Sequence, residues 1–86
     1  MSEPESRIKT FILREFMYDC DEASLDSGTM LIDEAIIDSL KIFVLVPFLQ
    51  KEFAIRVEPT DITLRNFESV GAIGSLVERK RREQQP

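Results

Sequence analysis

The chain has 86 residues, 43% of them hydrophobic and 31% charged, which suits one soluble domain with a small core and is too short for an enzyme with a buried cleft. Its net charge of −5 argues against nucleic acid, whose phosphates want lysine and arginine, and favours partners with basic docking surfaces. With no histidine and one cysteine, Cys20, the common zinc and haem sites and any internal disulfide are excluded, and a reducing cytosol is the expected compartment.

From Ser6 to about Tyr18, Ile8, Phe11, Ile12 and Phe16 recur at spacings of three and four, with Leu13 and Met17 nearby. That period predicts a first helix with one apolar face. Pro4 is tolerated at or just before its start, and Glu5 sits where the helix dipole prefers an acid. Asp19 to Asp38 holds seven acids and no base, with Gly28 and several Ser and Asp as turn formers, and predicts a loop of about twenty residues. So long a loop needs anchoring in a compact domain, and Leu25, Met30, Leu31, Ile32 and Ile36 are the expected tacks. Its acids lack the alternate spacing and sixth-position glycine of an EF-hand, so a solvated acidic loop is expected in place of a calcium site. Cys20 reads as an ordinary loop cysteine.

A second helix is predicted from about Ser39 to Phe53, burying Ile42, Leu45, Val46, Leu49 and Phe53 and turning Leu40, Val44, Pro47 and Lys51 outward. Pro47 removes one backbone hydrogen bond and crowds the Phe43 carbonyl, so a bend near Phe43 to Pro47 is expected. Ile55 and Val57 then alternate with Arg56 and Glu58 as a short extended segment ended by Pro59. Thr60 or Asp61 can cap a short third helix reaching Leu64 or Arg65, and Ser69 can cap a last helix whose core stripe is Val70, Ile73, Leu76 and Val77. Gly71 and Gly74 in that helix read as points of close packing. Residues 78–86 carry a net charge of +2 through Arg79, Lys80, Arg81 and Arg82, which complement a helix C-terminus, while residues 81–86 are expected to fray. The longest apolar run, Ile42 to Leu49, is too short to span a bilayer, and the polar N-terminus does not read as a signal peptide.

The predicted start of the second helix is the one place built for chemistry. Ser39 stands at or one residue inside it, where unpaired backbone N–H groups and the positive end of the dipole favour an anion such as a phosphodiester. Asp and Ser are also favoured caps in any protein, so the residues by themselves fit a plain helix cap as well. No nucleophile is paired to a base anywhere in the chain.

Over about residues 5 to 80 the chain resembles the acyl carrier proteins. The resemblance rests on Leu31-Ile32-Asp33-Glu34-Ala35-Ile36-Ile37-Asp38-Ser39-Leu40, on Phe48-Leu49-Gln50-Lys51-Glu52-Phe53-Ala54-Ile55, and on Asn66-Phe67-Glu68-Ser69-Val70-Gly71-Ala72-Ile73, in that order. It departs from the family where Ala35-Ile36-Ile37 lacks the glycine that often precedes Asp-Ser-Leu. It departs again in its second helix, where Lys41 is the only charge from Ser39 to Leu49 although many relatives are acidic there.

The resemblance implies an all-α, four-helix bundle of three longer helices and a short third one, forming a single domain over residues 1–86 of a free-standing, monomeric carrier without catalytic activity of its own. It implies 4′-phosphopantetheine joined to the Ser39 hydroxyl, with acyl or aminoacyl cargo held as a thioester for fatty acid, polyketide or nonribosomal peptide synthesis. Asp38 is then a helix cap that helps position the modifying transferase's metal and coenzyme A. Leu40, Lys41, Val44 and Pro47 are the expected docking residues for that phosphopantetheinyl transferase and for acyl or aminoacyl ligases and synthases. The rival expectation is a small helical adaptor without a prosthetic group, using its apolar second helix to bind another protein.

Overall fold

The computed structural model describes residues 2–17 and 25–84, and every described element is helical. Tyr18, Asp19 and Cys20, named above, lie outside the described residues, as do Asp21 and Glu22, two of the seven loop acids, and Gln85 and Pro86. The first helix, α1 (Glu3–Phe16), starts three residues earlier than its apolar period suggests. Ser2 is the cap, its hydroxyl accepting from the Glu5 N–H at 3.4 Å, and Pro4 is accommodated in the first turn, where its missing N–H costs nothing. Ile8, Phe11, Ile12 and Met17 are buried and Leu13 and Phe16 half-buried, which is the predicted face.

The second helix, α2 (Ser39–Phe53), is one unbroken helix with Pro47 inside it. Ile42, Leu45, Leu49 and Phe53 are buried, Val46 is only half-buried, and Leu40, Val44, Pro47 and Lys51 face outward as expected. The helix stops at Ala54, which takes the left-handed conformation (φ 54°) and donates its N–H to the Gln50 carbonyl. The Gln50 side chain accepts from the Val57 N–H at 3.0 Å and fixes the extended stretch that buries Ile55 and Val57. Aromatic rings join the first two helices, Phe11 stacking on Phe48 with centroids 4.0 Å apart and Phe48 meeting Phe53 edge-on.

The short third helix is reduced to a 3₁₀ turn at Pro59–Asp61. The carboxylate expected to open it is already engaged, because Asp61 accepts from the Glu58 N–H at 2.8 Å and from Lys80 Nζ at 2.7 Å. The Asp61 carbonyl takes the Asn66 side-chain amide at 2.8 Å, and the Thr63 N–H folds back to it at 3.0 Å, so the chain curls away from a helical path.

Ser69 caps the last helix, α3 (Val70–Gln84), through a 3.0 Å bond from the Ala72 N–H, and Val70, Ile73, Leu76 and Val77 are buried. Helix α3 runs to Gln84, over part of the stretch expected to fray. Arg81 pairs with Glu3 at 3.4 Å and lies over the Phe53 ring, while Gln84 bonds both the N–H and the carbonyl of Arg56. The two glycines permit close approach as predicted. Gly71 donates its N–H to the Ser27 carbonyl at 2.9 Å, and a Cβ on Gly74 would stand 2.7 Å from Glu5 Cγ. Among the described residues no helix is long and apolar enough to cross a membrane.

Candidate functional site

The described half of the acidic loop is anchored firmly, and that anchoring aims the start of α2. Leu25 and Leu31 are fully buried, each removing ~1.5–3 kcal/mol worth of apolar surface from water. The Leu31 N–H donates to the Glu68 carbonyl at 2.8 Å. Ile32 and Ile36 pack partly on the core, but Met30, expected as a tack, is exposed, because the turn that buries Leu31 directs its neighbour outward. That turn closes when Ala35 enters the left-handed region (φ 58°), the Ala35 N–H reaching the Ile32 carbonyl and the Ile36 N–H reaching the Leu31 carbonyl. This is the pair of bonds that ends a helix in a Schellman motif, with alanine where glycine is usual. The glycine missing from the Ala35-Ile36-Ile37 stretch is therefore missing where the backbone would use one.

Ile37, overlooked in the sequence, is the anchor next to the site. It precedes the cap and Ile42 occupies the fourth helical position, the two places of a hydrophobic staple, and both are buried. Apolar residues flanking a Ser, Thr, Asp or Asn cap at that spacing were the available signal. Asp38 is the N-cap, extended in backbone, its Oδ1 accepting from the Lys41 N–H at 3.0 Å and its carbonyl from the Ile42 N–H at 2.9 Å. Ser39 is the first helical residue and is exposed, and among the described residues its hydroxyl has no hydrogen-bond partner. The N–H groups of Ser39 and Leu40 are likewise left without acceptors, since Asp38 satisfies only the next two. An anion on the Ser39 oxygen would meet two free amides and the positive end of a fifteen-residue helix.

A cleft of about 340 Å³ opens beside that hydroxyl, lined by Ile32, Ala35, Ile37, Ile42 and Leu64 together with Asp38 and Ser39. A second depression of about 230 Å³ adjoins it through the shared residues Ile32 and Leu64 and continues to Met30, Asp33 and Glu68. Leu64, at the expected end of the short third helix, lines both depressions, and the resemblance to the acyl carrier proteins implies that this helix borders the arm and its cargo.

Of the expected docking residues, Leu40 is 77% and Val44 49% exposed, and Pro47 is exposed with them. Phe43, at 68%, belongs to the same stripe and was missed, although its spacing of three from Leu40 and four to Pro47 marks it. Lys41 is half-buried, its ammonium donating to the Ile36 carbonyl at 3.3 Å and lying 5.7 Å from the centre of the Phe16 ring. The outward residues from Leu40 to Pro47, namely Leu40, Phe43, Val44 and Pro47, are apolar, and Lys51 is the outward charge one turn beyond them.

No protein-family profile matches the chain. It is 36% identical over 75 residues, 87% of its own length and 85% of the relative's, to the probable acyl carrier protein PigG of Serratia sp. (strain ATCC 39006).

Proposed function

We propose that this chain, which belongs to the acyl carrier protein family and so serves as a carrier in biosynthesis, presents acyl or aminoacyl groups from a 4′-phosphopantetheine arm on the Ser39 hydroxyl. The observation that carries this reading is an exposed, unpartnered hydroxyl at the first position of α2, beside two free amides and at the mouth of an apolar cleft. Those residues fit the group. The Ser39 oxygen accepts the phosphodiester, the Ser39 and Leu40 N–H groups face its charge, and Asp38 holds the helix end rigid while leaving its second carboxylate oxygen for the transferase's metal. When bound, the arm supplies a thiol that holds the cargo as a thioester.

The carrier's contribution to rate is effective concentration, since a tethered cargo meets successive partners as a nearly intramolecular reactant. Ser39 is activated by the modifying transferase; among the described residues no base lies within hydrogen-bond reach of it. Leu40, Phe43, Val44 and Pro47 supply the docking contact, so ligases and synthases meet the carrier through apolar burial more than through ion pairs. Incubation with coenzyme A, magnesium and a broad-specificity phosphopantetheinyl transferase should add one phosphopantetheine to the wild-type mass and none to Ser39→Ala. An unmodified wild type beside an active control carrier would replace this reading with the adaptor, for which the apolar stripe of α2 would then be the working surface.

A further inference from the structure

The wall of the Ser39 cleft is held by an unusual means. From Pro59 to Asn66 the chain buries no side chain completely, and Leu64, which separates the two depressions, is 71% exposed. Ile62 packs only partly on the core, and the first fully buried anchor is Phe67. What fixes the segment is a polar latch to α3. Lys80 Nζ lies 2.7 Å from Asp61 Oδ2, with the two side chains only 12% and 18% exposed. The same Asp61 oxygen accepts from the Glu58 N–H, and the Asp61 carbonyl accepts from Asn66 Nδ2, whose Oδ1 in turn accepts from Arg79 Nη2 at 3.2 Å. Leu64 is thus bracketed by Asp61 and Asn66, which are tied to consecutive residues of α3, Lys80 and Arg79.

We propose that Lys80 is a positioning residue for the Ser39 cleft, holding the Pro59 to Asn66 segment through Asp61 so that Leu64 closes the wall between the two depressions and shields cargo lying there. The inference rests on the carrier reading and adds to it a latch on α3, 41 positions along the chain from the serine. With little apolar burial to resist it, the segment opens whenever the latch breaks, and cargo long enough to reach Leu64 is exposed by that opening. Cargo too short to reach Leu64 is indifferent to it. A barely exposed ion pair holding one wall of a groove is a two-state element of modest strength, suited to closing over cargo and yielding when a partner competes for it.

The test uses Lys80→Met, which keeps the aliphatic stem and removes the charge, together with Asp61→Asn and the exchange of both residues, Asp61→Lys with Lys80→Asp. Each protein is loaded at Ser39 from acetyl-coenzyme A and from hexanoyl-coenzyme A by the transferase. Cleavage of the thioester by hydroxylamine is then followed by intact mass, beside thermal unfolding of each variant and the methyl chemical shifts of Leu64. Lys80→Met and Asp61→Asn should cleave the hexanoyl form about fivefold faster than wild type, the population change expected from losing a pair of this exposure. The acetyl form should change little, the Leu64 methyl signals should shift, and the exchanged pair should restore slow hexanoyl cleavage. Wild-type hexanoyl cleavage in folded Lys80→Met or Asp61→Asn, with Leu64 methyl signals unmoved, would overturn the latch while leaving the carrier reading intact. Failure of wild type to accept either group would overturn both, because no cargo would reach the cleft.

Discussion

Asp38 and Ser39 were legible in the sequence because a helix cap is a local device. The side-chain oxygen, the amide it caps and the free amides beside it all lie within four residues, so composition alone places them. The two left-handed alanines were not legible, since nothing in an alanine announces a positive φ. Ala35 ends the turn that aims Asp38, and Ala54 ends α2, at φ 58° and 54°. A side chain in this region crowds the following carbonyl and costs about 1–2 kcal/mol, part of which glycine returns as a floppier unfolded chain. Ala54→Gly and Ala35→Gly should therefore each raise stability by roughly 0.5–1 kcal/mol, read as a higher urea midpoint at unchanged slope. A lower midpoint for both would mean that neither turn is strained as described.

At the scale of elements, the three long helices follow from apolar periodicity and the predicted faces are the buried ones, including Phe11, Leu49, Phe53 and Ile73. The expected short third helix is present as the 3₁₀ turn at Pro59–Asp61, and it stops there for a reason the local sequence does not contain. Thr60 and Asp61 are good caps, but Asp61 is engaged by Lys80, nineteen positions away on α3, and a distant charge is invisible to local propensity. Arg81 and Gln84 likewise meet distant partners, Glu3, Phe53 and Arg56, that local sequence does not reveal. Helix α2 yields a prediction about docking. Its outward stripe of Leu40, Phe43, Val44 and Pro47 carries no charge, so Val44→Glu should cut loading by the cognate ligase or synthase at least tenfold, because a carboxylate buried in the interface loses its hydration without a partner. Raising ionic strength should change wild-type loading little. Steep salt dependence combined with tolerance of Val44→Glu would move the docking surface to the acidic loop or to the turn at Pro59–Asp61.

At the scale of the whole molecule, a small apolar core leaves Ser39 exposed at one helix end, and the Lys80–Asp61 pair ties the Pro59 to Asn66 segment to α3. The latch has a defined pH window. Partial burial works to raise the Asp61 pKa, but the hydrogen bonds from Lys80 and the Glu58 N–H and the charges of Lys80 and Arg79 outweigh it, so it stands below 3.8. The Lys80 pKa is raised above 10.5, chiefly by its hydrogen bond to Asp61, with burial opposing and Glu83 and Glu58 assisting. A depressed carboxylate stabilises the fold above its unfolded pKa and loses that contribution as pH falls. A raised ammonium stabilises below its unfolded pKa and loses it as pH climbs. The stability difference between wild type and Lys80→Met in urea titrations should accordingly be flat from about pH 5 to pH 9 and shrink below about pH 4. A difference that varies across neutral pH would show that some other group controls the pair.

The central claim is that Ser39 is the attachment point, and the most direct measurement is peptide mapping of the protein isolated from the cells that make it. Cleavage after Arg14 and Lys41 releases a fragment spanning Glu15 to Lys41, which contains Ser24, Ser27, Thr29 and Ser39 as its hydroxyls of that kind. Tandem mass spectrometry should find this fragment heavier by one phosphopantetheine, with the ions that carry the extra mass beginning at Ser39. A fragment of unmodified mass, or one whose added mass maps to Ser24, Ser27 or Thr29, would contradict the account.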